Sequence, residues 1–252
     1  MEEEPGRVYR SFSWKETNLR IAATEAAFEL ITRTVMAERR LLERYLARDP
    51  EFRGAMVPVA VAEDAPVVVR RMAAAARTVG VGPMAAVAGA LAQMGAEAAM
   101  AAGYDEAIVE NGGDMFIHSA RPVTVGLFAG TTPLADRLAF RLVPASLPLA
   151  LCSSSSAMGH SLSLGRCDLA TVVSADAALA DAAVTLVCNL IRSERDLDPV
   201  LNDVGTLPGI AGILAVKGKK IGLFGNLPEL VRNRDKHARA KITRDLHSDF
   251  RG

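Results

Sequence analysis

Between Pro83 and Ala102 the chain runs for twenty residues built mostly of Ala, Met, Gly and Leu. Side chains this small cannot hold neighbours apart, so a helix made of them lets another backbone, or a ligand, come close. The Gly80-Val81-Gly82 break precedes this helix, Pro83 opens it and Gly103 is a natural stop after it. Gln93 and Glu97 interrupt the Ala-rich stretch from Met84 to Ala102, which argues against a bilayer span. The expected role is a core helix around which other elements must crowd.

The rest of the chain supplies those elements in blocks. Arg7 to Trp14 alternates in the manner of a strand, with Asn18 to Ala23 as its hairpin partner. Thr24 is the expected N-cap of a helix carrying Phe28, Ile31, Val35, Leu42 and Leu46 at helical spacing, which Pro50 ends after Asp49. Asp64-Ala65-Pro66 is the expected start of a second helix, with Asp64 as cap. Short strands follow at Ala107–Val109, Met115–Ile117, Val123–Phe128, Leu138–Val143, Leu147–Cys152 and Leu169–Val173. A helix over Ala175 to Ile191, a polar loop through Asp203 and a closing hairpin of Ile210–Val216 with Lys220–Phe224 complete the pass. Helices and hairpins in blocks point to an α+β fold with antiparallel sheet rather than a doubly wound parallel one.

Half of the 252 residues are hydrophobic, enough for one large core, and a single domain over residues 1–230 with a charged tail over 231–252 is expected. Lys plus Arg and Asp plus Glu both number 29, a balance that disfavours a general nucleic-acid binder. Arg232, Arg234, Lys236, His237, Arg239, Lys241 and Arg244 crowd the tail, with Asp235 and Asp245 among them, as on a solvated helix. Three irregularly spaced cysteines (Cys152, Cys167, Cys188) describe neither a disulfide framework nor a zinc site. With an acidic start, Met1-Glu2-Glu3-Glu4, unlike a secretory signal, they imply a cytoplasmic protein without a membrane partner. Ala-rich helices with few aromatics leave room for a homo-oligomer interface.

Three segments can carry chemistry. In Asn111-Gly112-Gly113-Asp114 two glycines admit positive φ and bare N–H groups, and the flanking polar side chains can bond a ribose, base or phosphate-bound metal; the same tetrapeptide also suits a plain type I′ hairpin turn. Leu151 to Asp168 contains Ser153-Ser154-Ser155-Ser156 and Gly159-His160-Ser161, where hydroxyls and amides can cradle phosphate and His160 can move a proton. A flexible polar loop is the other reading, and the missing Gly-x-Ser-x-Gly speaks against a serine hydrolase. In the helix over Ala175 to Ile191, Asp181 and Thr185 stand one turn apart and offer the hard oxygen ligands that suit magnesium. An exposed polar pair is the bland alternative.

Taken in order, these segments resemble the ApbE superfamily, whose best-known members are magnesium-dependent FAD:protein FMN transferases. Gly112-Gly113-Asp114 matches its glycine turn, His160 its histidine, and Ala180-Asp181-Ala182-Ala183-Val184-Thr185 its metal-binding helix motif. Pro83-Met84-Ala85-Ala86-Val87-Ala88-Gly89 and Gly159-His160-Ser161 are similar to a cytoplasmic branch of that superfamily. The chain departs from the transferases at Ala88-Gly89, where they carry Lys-Gly, and at Gln93, where they carry Asp. His160 is followed by Ser161-Leu162-Ser163-Leu164-Gly165 instead of Ile-Asp-Pro-x-Thr-Gly. The resemblance implies a T-fold-like, duplicated antiparallel sheet with paired helices. It also implies a flavin (FAD or FMN) or other small-molecule nucleotide held with magnesium. Asp181 and Thr185 would serve the metal, His160 catalysis, and Asn111, Gly112, Gly113, Asp114, Ser154, Ser155 and Gly159 the ligand. A magnesium-dependent transferase, a binding module without catalysis and a structural protein with a degenerate site are the three functional expectations.

Overall fold

The computed structural model describes residues 8–129, 137–155 and 166–233. Arg10–Trp14 (β1) and Thr17–Ala23 (β2) form the expected hairpin, turning at Lys15 with φ 53°. β2 pairs with Glu106–Asn111 (β3), which turns through Gly112-Gly113 into Asp114–Ser119 (β4). Leu149–Ser154 (β7), Leu169–Ser174 (β8), Ile210–Lys217 (β9) and Lys220–Gly225 (β10) extend the sheet beyond β4. The result is an eight-stranded sheet in the order β1-β2-β3-β4-β7-β8-β9-β10, antiparallel at every pairing. Val123–Leu127 (β5), Leu138–Leu142 (β6) and Glu229–Arg232 (β11) make a second, three-stranded antiparallel sheet.

The large sheet is covered on both faces, and its period-two alternation sorts the side chains between two cores. Val109, Phe116, Ala150, Cys152, Ala170, Val172 and Ile213 pack with the helices. Ile108, Met115, Ile117, Leu151, Leu169, Val173 and Leu214 pack instead with Val123, Phe140 and Leu142 of the small sheet. Burial on both faces explains why Leu169–Ser174 reads as one apolar run rather than an alternating one.

On the helical side, Glu25–Arg48 (α1) starts at Thr24, whose side chain accepts from Ala27 N at 3.4 Å. Asp49 ends α1 and caps a short further helix, Pro50–Gly54 (α2), so Pro50 begins an element as well as ending one. Val67–Val79 (α3) begins after Pro66 without a side-chain cap, so the expected capping role of Asp64 is not observed; Gly80 closes the helix at φ 85°. The small-residue segment is a 3₁₀ turn, Pro83–Ala86, running into Val87–Ala101 (α4). Ala177–Leu190 (α5) is capped by the Asp176 side chain, which accepts from Leu179 N at 3.1 Å. The stretch read as a loop before Asp203 contains Leu197–Gly205 (α6), whose buried Leu197, Leu201 and Val204 were masked by intervening Asp198, Pro199, Asn202 and Asp203.

By length and composition alone, Pro83–Ala101 would suffice to cross a membrane. Here α4 packs against α1, α5, β3 and β4 as a central core helix. Its two polar interruptions have partners: Glu97 pairs with Arg71 at 2.8 Å, and Gln93 Nε2 donates to Glu97 Oε1 at 2.8 Å. At Gly95 an added Cβ would lie 2.9 Å from Val35 Cγ2 of α1. Phe140, fully buried between the two sheets, anchors the small sheet. Phe140→Ala is expected to lower stability by about 3–5 kcal/mol in urea denaturation.

Candidate functional site

α4 and α5 meet at Gly89. A Cβ there would lie 2.2 Å from the Ala177 carbonyl oxygen and 3.0 Å from Asp181 Cβ, so only hydrogen fits. The N-cap position of α4, Ala86, offers no side chain to its first N–H groups. Asp181 reaches across from α5 to supply one: its Oδ2 accepts from Gly89 N at 2.9 Å. Asn111, at the end of β3, approaches the same turn and donates from Nδ2 to Ala88 O at 3.2 Å. The start of α4 is thus clamped between the glycine hairpin and α5.

Gly112 and Gly113 have φ values of 65° and 106°, the two positive-φ positions that a two-residue I′ hairpin requires. They set Asn111 opposite Asp114, and Asp114 opposite Cys152 of β7. Asp114 shares the parity of Phe116, so it points to the helical side, beneath α4 and α5. Cys152 Sγ donates to the Ala177 carbonyl at 3.5 Å and stands beside Asp114 across the β4–β7 pairing.

Asp114, Asp181 and Cys152 are all buried, and Asp114 Oδ1 has no hydrogen-bond partner among the described residues. Burial is the main reason that the Asp181 carboxyl is raised to about 7, against the opposing N–H donors of Gly89 and Ala88. Burial, followed by the negative charge of Asp181, holds Asp114 well above the usual carboxylate range, with Cys152 and the Ser153 N–H pulling it back. Burial also pushes the Cys152 thiol up, with the two carboxylates adding to it.

From Asp181 the same face of α5 continues through half-buried Thr185 to buried Cys188, which lies beside Cys167 and Ser154. Ser154 therefore borders the far end of that face, and Ser155 next to it is buried. Asn111, Asp114 and Asp181 converge at the start of α4, while Gly159 and His160 lie outside the described residues.

Two residues essential to this geometry were not among the site residues expected from the sequence, although Gln93 stood out as a departure from the transferases. Gln93 Oε1 accepts from Ala177 N at 2.7 Å, tying the first residue of α5 to α4. Cys152 stands between Asp114 and α5, and the only signal for it was period-two alternation along β7 with Ala150 and Ser154.

A family model described as AbpE bacteria matches residues 4–208. The chain belongs to this ApbE-like family. A UPF0280 protein of Methanocella arvoryzae is 39% identical over 218 residues, covering 86% of this chain and 89% of its own. Another, from Methanospirillum hungatei, is 40% identical over 227 residues, covering 88% and 89%. Among solved structures, a mutant of the flavin transferase ApbE from Vibrio cholerae aligns with a TM-score of 0.53 at 13% identity, over 94% of this chain and 99% of that one. That likeness is one of fold, and it agrees with the mixed helix and antiparallel sheet described above.

Gly89→Ala in this ApbE-like chain should force α4 and α5 apart and cost about 3 kcal/mol or more, read by urea denaturation. A pH dependence follows from Asp181. Its folded pKa, about 7, lies above the ordinary carboxylate value, so the folded state binds more protons between about pH 4 and 7. Its contribution therefore falls as pH rises through that window and is flat above it. Asp181→Asn removes this charge, so its stability relative to wild type should rise across the same window, measured by denaturation at stepped pH without metal.

Proposed function

We propose that this chain binds a flavin or other nucleotide together with magnesium, at the junction of the glycine hairpin, α4 and α5, and acts there on a phosphoanhydride or transfers a nucleotidyl group. One observation carries this reading. Among the described residues, neither Asp181 nor Asp114 has an ion-pair partner, although both are buried and adjacent. Buried carboxylates without a basic partner are expensive unless a cation joins them, and oxygen ligands suit magnesium. The donor set therefore fits a hard divalent ion, with Asp181 and Thr185 as the residues that would hold it.

When bound, magnesium would neutralise phosphate charge and polarise the phosphoryl group. The chain's own groups do the rest. The hairpin Asn111-Gly112-Gly113-Asp114 and the hydroxyls of Ser154 and Ser155 would position the ligand. Gly159 would help to hold it and His160 would transfer the proton. Kinship with an ApbE-like family supports the substrate class. Three free cysteines suit a cytoplasmic setting.

A second reading, binding without turnover, is favoured by Ala88. It places a methyl group at the start of α4, the position where the transferases of the resemblance carry a lysine.

Thermal denaturation with FAD, FMN, ATP and ADP, each with and without magnesium, tests the proposal. A ligand at a hundred times its dissociation constant should stabilise the protein by about 2.7 kcal/mol. The shift should need magnesium and should vanish in Asp181→Asn; an equal shift in that variant refutes the assignment. Product analysis after incubation of the best ligand separates turnover from binding alone.

A further inference from the structure

Taking Asp181 as a metal ligand rests on the reading above; Asp114 extends it. Two separate lines of contact bring these carboxylates together. In the first, Asp114 faces Cys152 across the β4–β7 register, and Cys152 Sγ lies 3.5 Å from the carbonyl of Ala177, one turn before Asp181. In the second, Asn111 closes the hairpin opposite Asp114 and donates at 3.2 Å to the Ala88 carbonyl. The next residue, Gly89, donates its N–H to Asp181 at 2.9 Å.

Asp114 is only 8% exposed, and its Oδ1 is buried with no hydrogen-bond partner among the described residues. An orphaned buried oxygen is rare in native proteins and marks a place where another group belongs. The hydrogen bond that Asp181 makes is with a donor, the N–H group of Gly89. Donors stabilise carboxylates in their charged form, the form that ligates a cation.

We propose that Asp114 and Asp181 together hold one divalent cation in the nucleotide-free chain, with Asp114 Oδ1 as a direct ligand. The hairpin then does more than turn the chain. By fixing Asn111 opposite Asp114, it sets a metal ligand from the sheet against the one from α5. The cation is in place before the nucleotide arrives, and the phosphates complete its coordination. Hard oxygen ligands select the magnesium and manganese class over thiophilic metals.

The test uses manganese alone with the full chain at pH 8, by calorimetric titration and by the melting temperature. Wild type should bind one manganese ion per chain saturably and melt higher with it, without any nucleotide. Asp114→Asn keeps the shape and an acceptor oxygen but removes the charge, and should weaken manganese at least tenfold. Exposed Glu29→Gln should leave that affinity unchanged. Equal affinity in Asp114→Asn, or no saturable manganese site in wild type, overturns the proposal. Should Asp114→Asn fail to fold, Asp114→Ser and the manganese-induced shift of wild type decide in its place. Magnesium-dependent stabilisation by a nucleotide is read separately. If it persists while manganese alone fails to bind, Asp114 is excluded as a ligand and the nucleotide site stands; if both are lost, the nucleotide reading falls too.

Discussion

At Gly89 the backbones of two helices touch with no side chain between them, and most of the site's geometry descends from that contact. The space a Cβ would need is taken by the Ala177 carbonyl, so α5 lies a full side chain closer to α4 than an alanine would allow. That proximity is what lets a residue as short as aspartate, on one helix, satisfy an N–H at the start of the next. It also places the Ala177 carbonyl within reach of the Cys152 thiol on the sheet below. Loosen the contact and the cap, the thiol bridge and the facing carboxylates all separate together.

Electrostatically the site works against the fold. Two carboxylates are buried near each other with backbone N–H groups and a thiol as their compensation, and no basic side chain among the described residues pairs with either. Partial dipoles offset part of the desolvation cost and leave the rest as an affinity for positive charge. Two demands therefore meet in one side chain: the Asp181 carboxylate that caps α4 is also one of the two buried without a basic partner among the described residues. Stabilising the helix and poising the site are the same act of positioning.

Behind the site runs a polar seam that holds the helices in register. Arg71 of α3 pairs with Glu97 of α4, Glu97 accepts from Gln93, and Gln93 accepts from the first N–H of α5. Each partner fixes the next, which orients the Gln93 amide from both ends and leaves α5 little freedom to slide. The large sheet provides the floor. Its helical face carries Asn111, Asp114, Cys152 and Ser154, while its other face packs on the small sheet, so this polar cluster lies on one side.

Much of this was written locally. Thr24, the Asn111–Asp114 turn, Gly80 and the small-residue run announced a cap, a hairpin, a helix end and a core helix, because capping, φ and side-chain volume act over a few residues. The motif order also carried the kinship. Local pattern misled where polar residues interleave a short helix, as in α6, and it gave no sign of β11, whose four residues are defined by pairing with β6. Asp114 and Asp181 were each legible as candidate ligand residues, but nothing local says that they come together. That meeting depends on strand register, on the approach of two helices at a single glycine and on an amide ninety-two positions from the carboxylate it serves. Sequence alone determined the elements and the chemistry available, and tertiary structure decided which groups share a space, because burial and proximity arise only when distant segments pack.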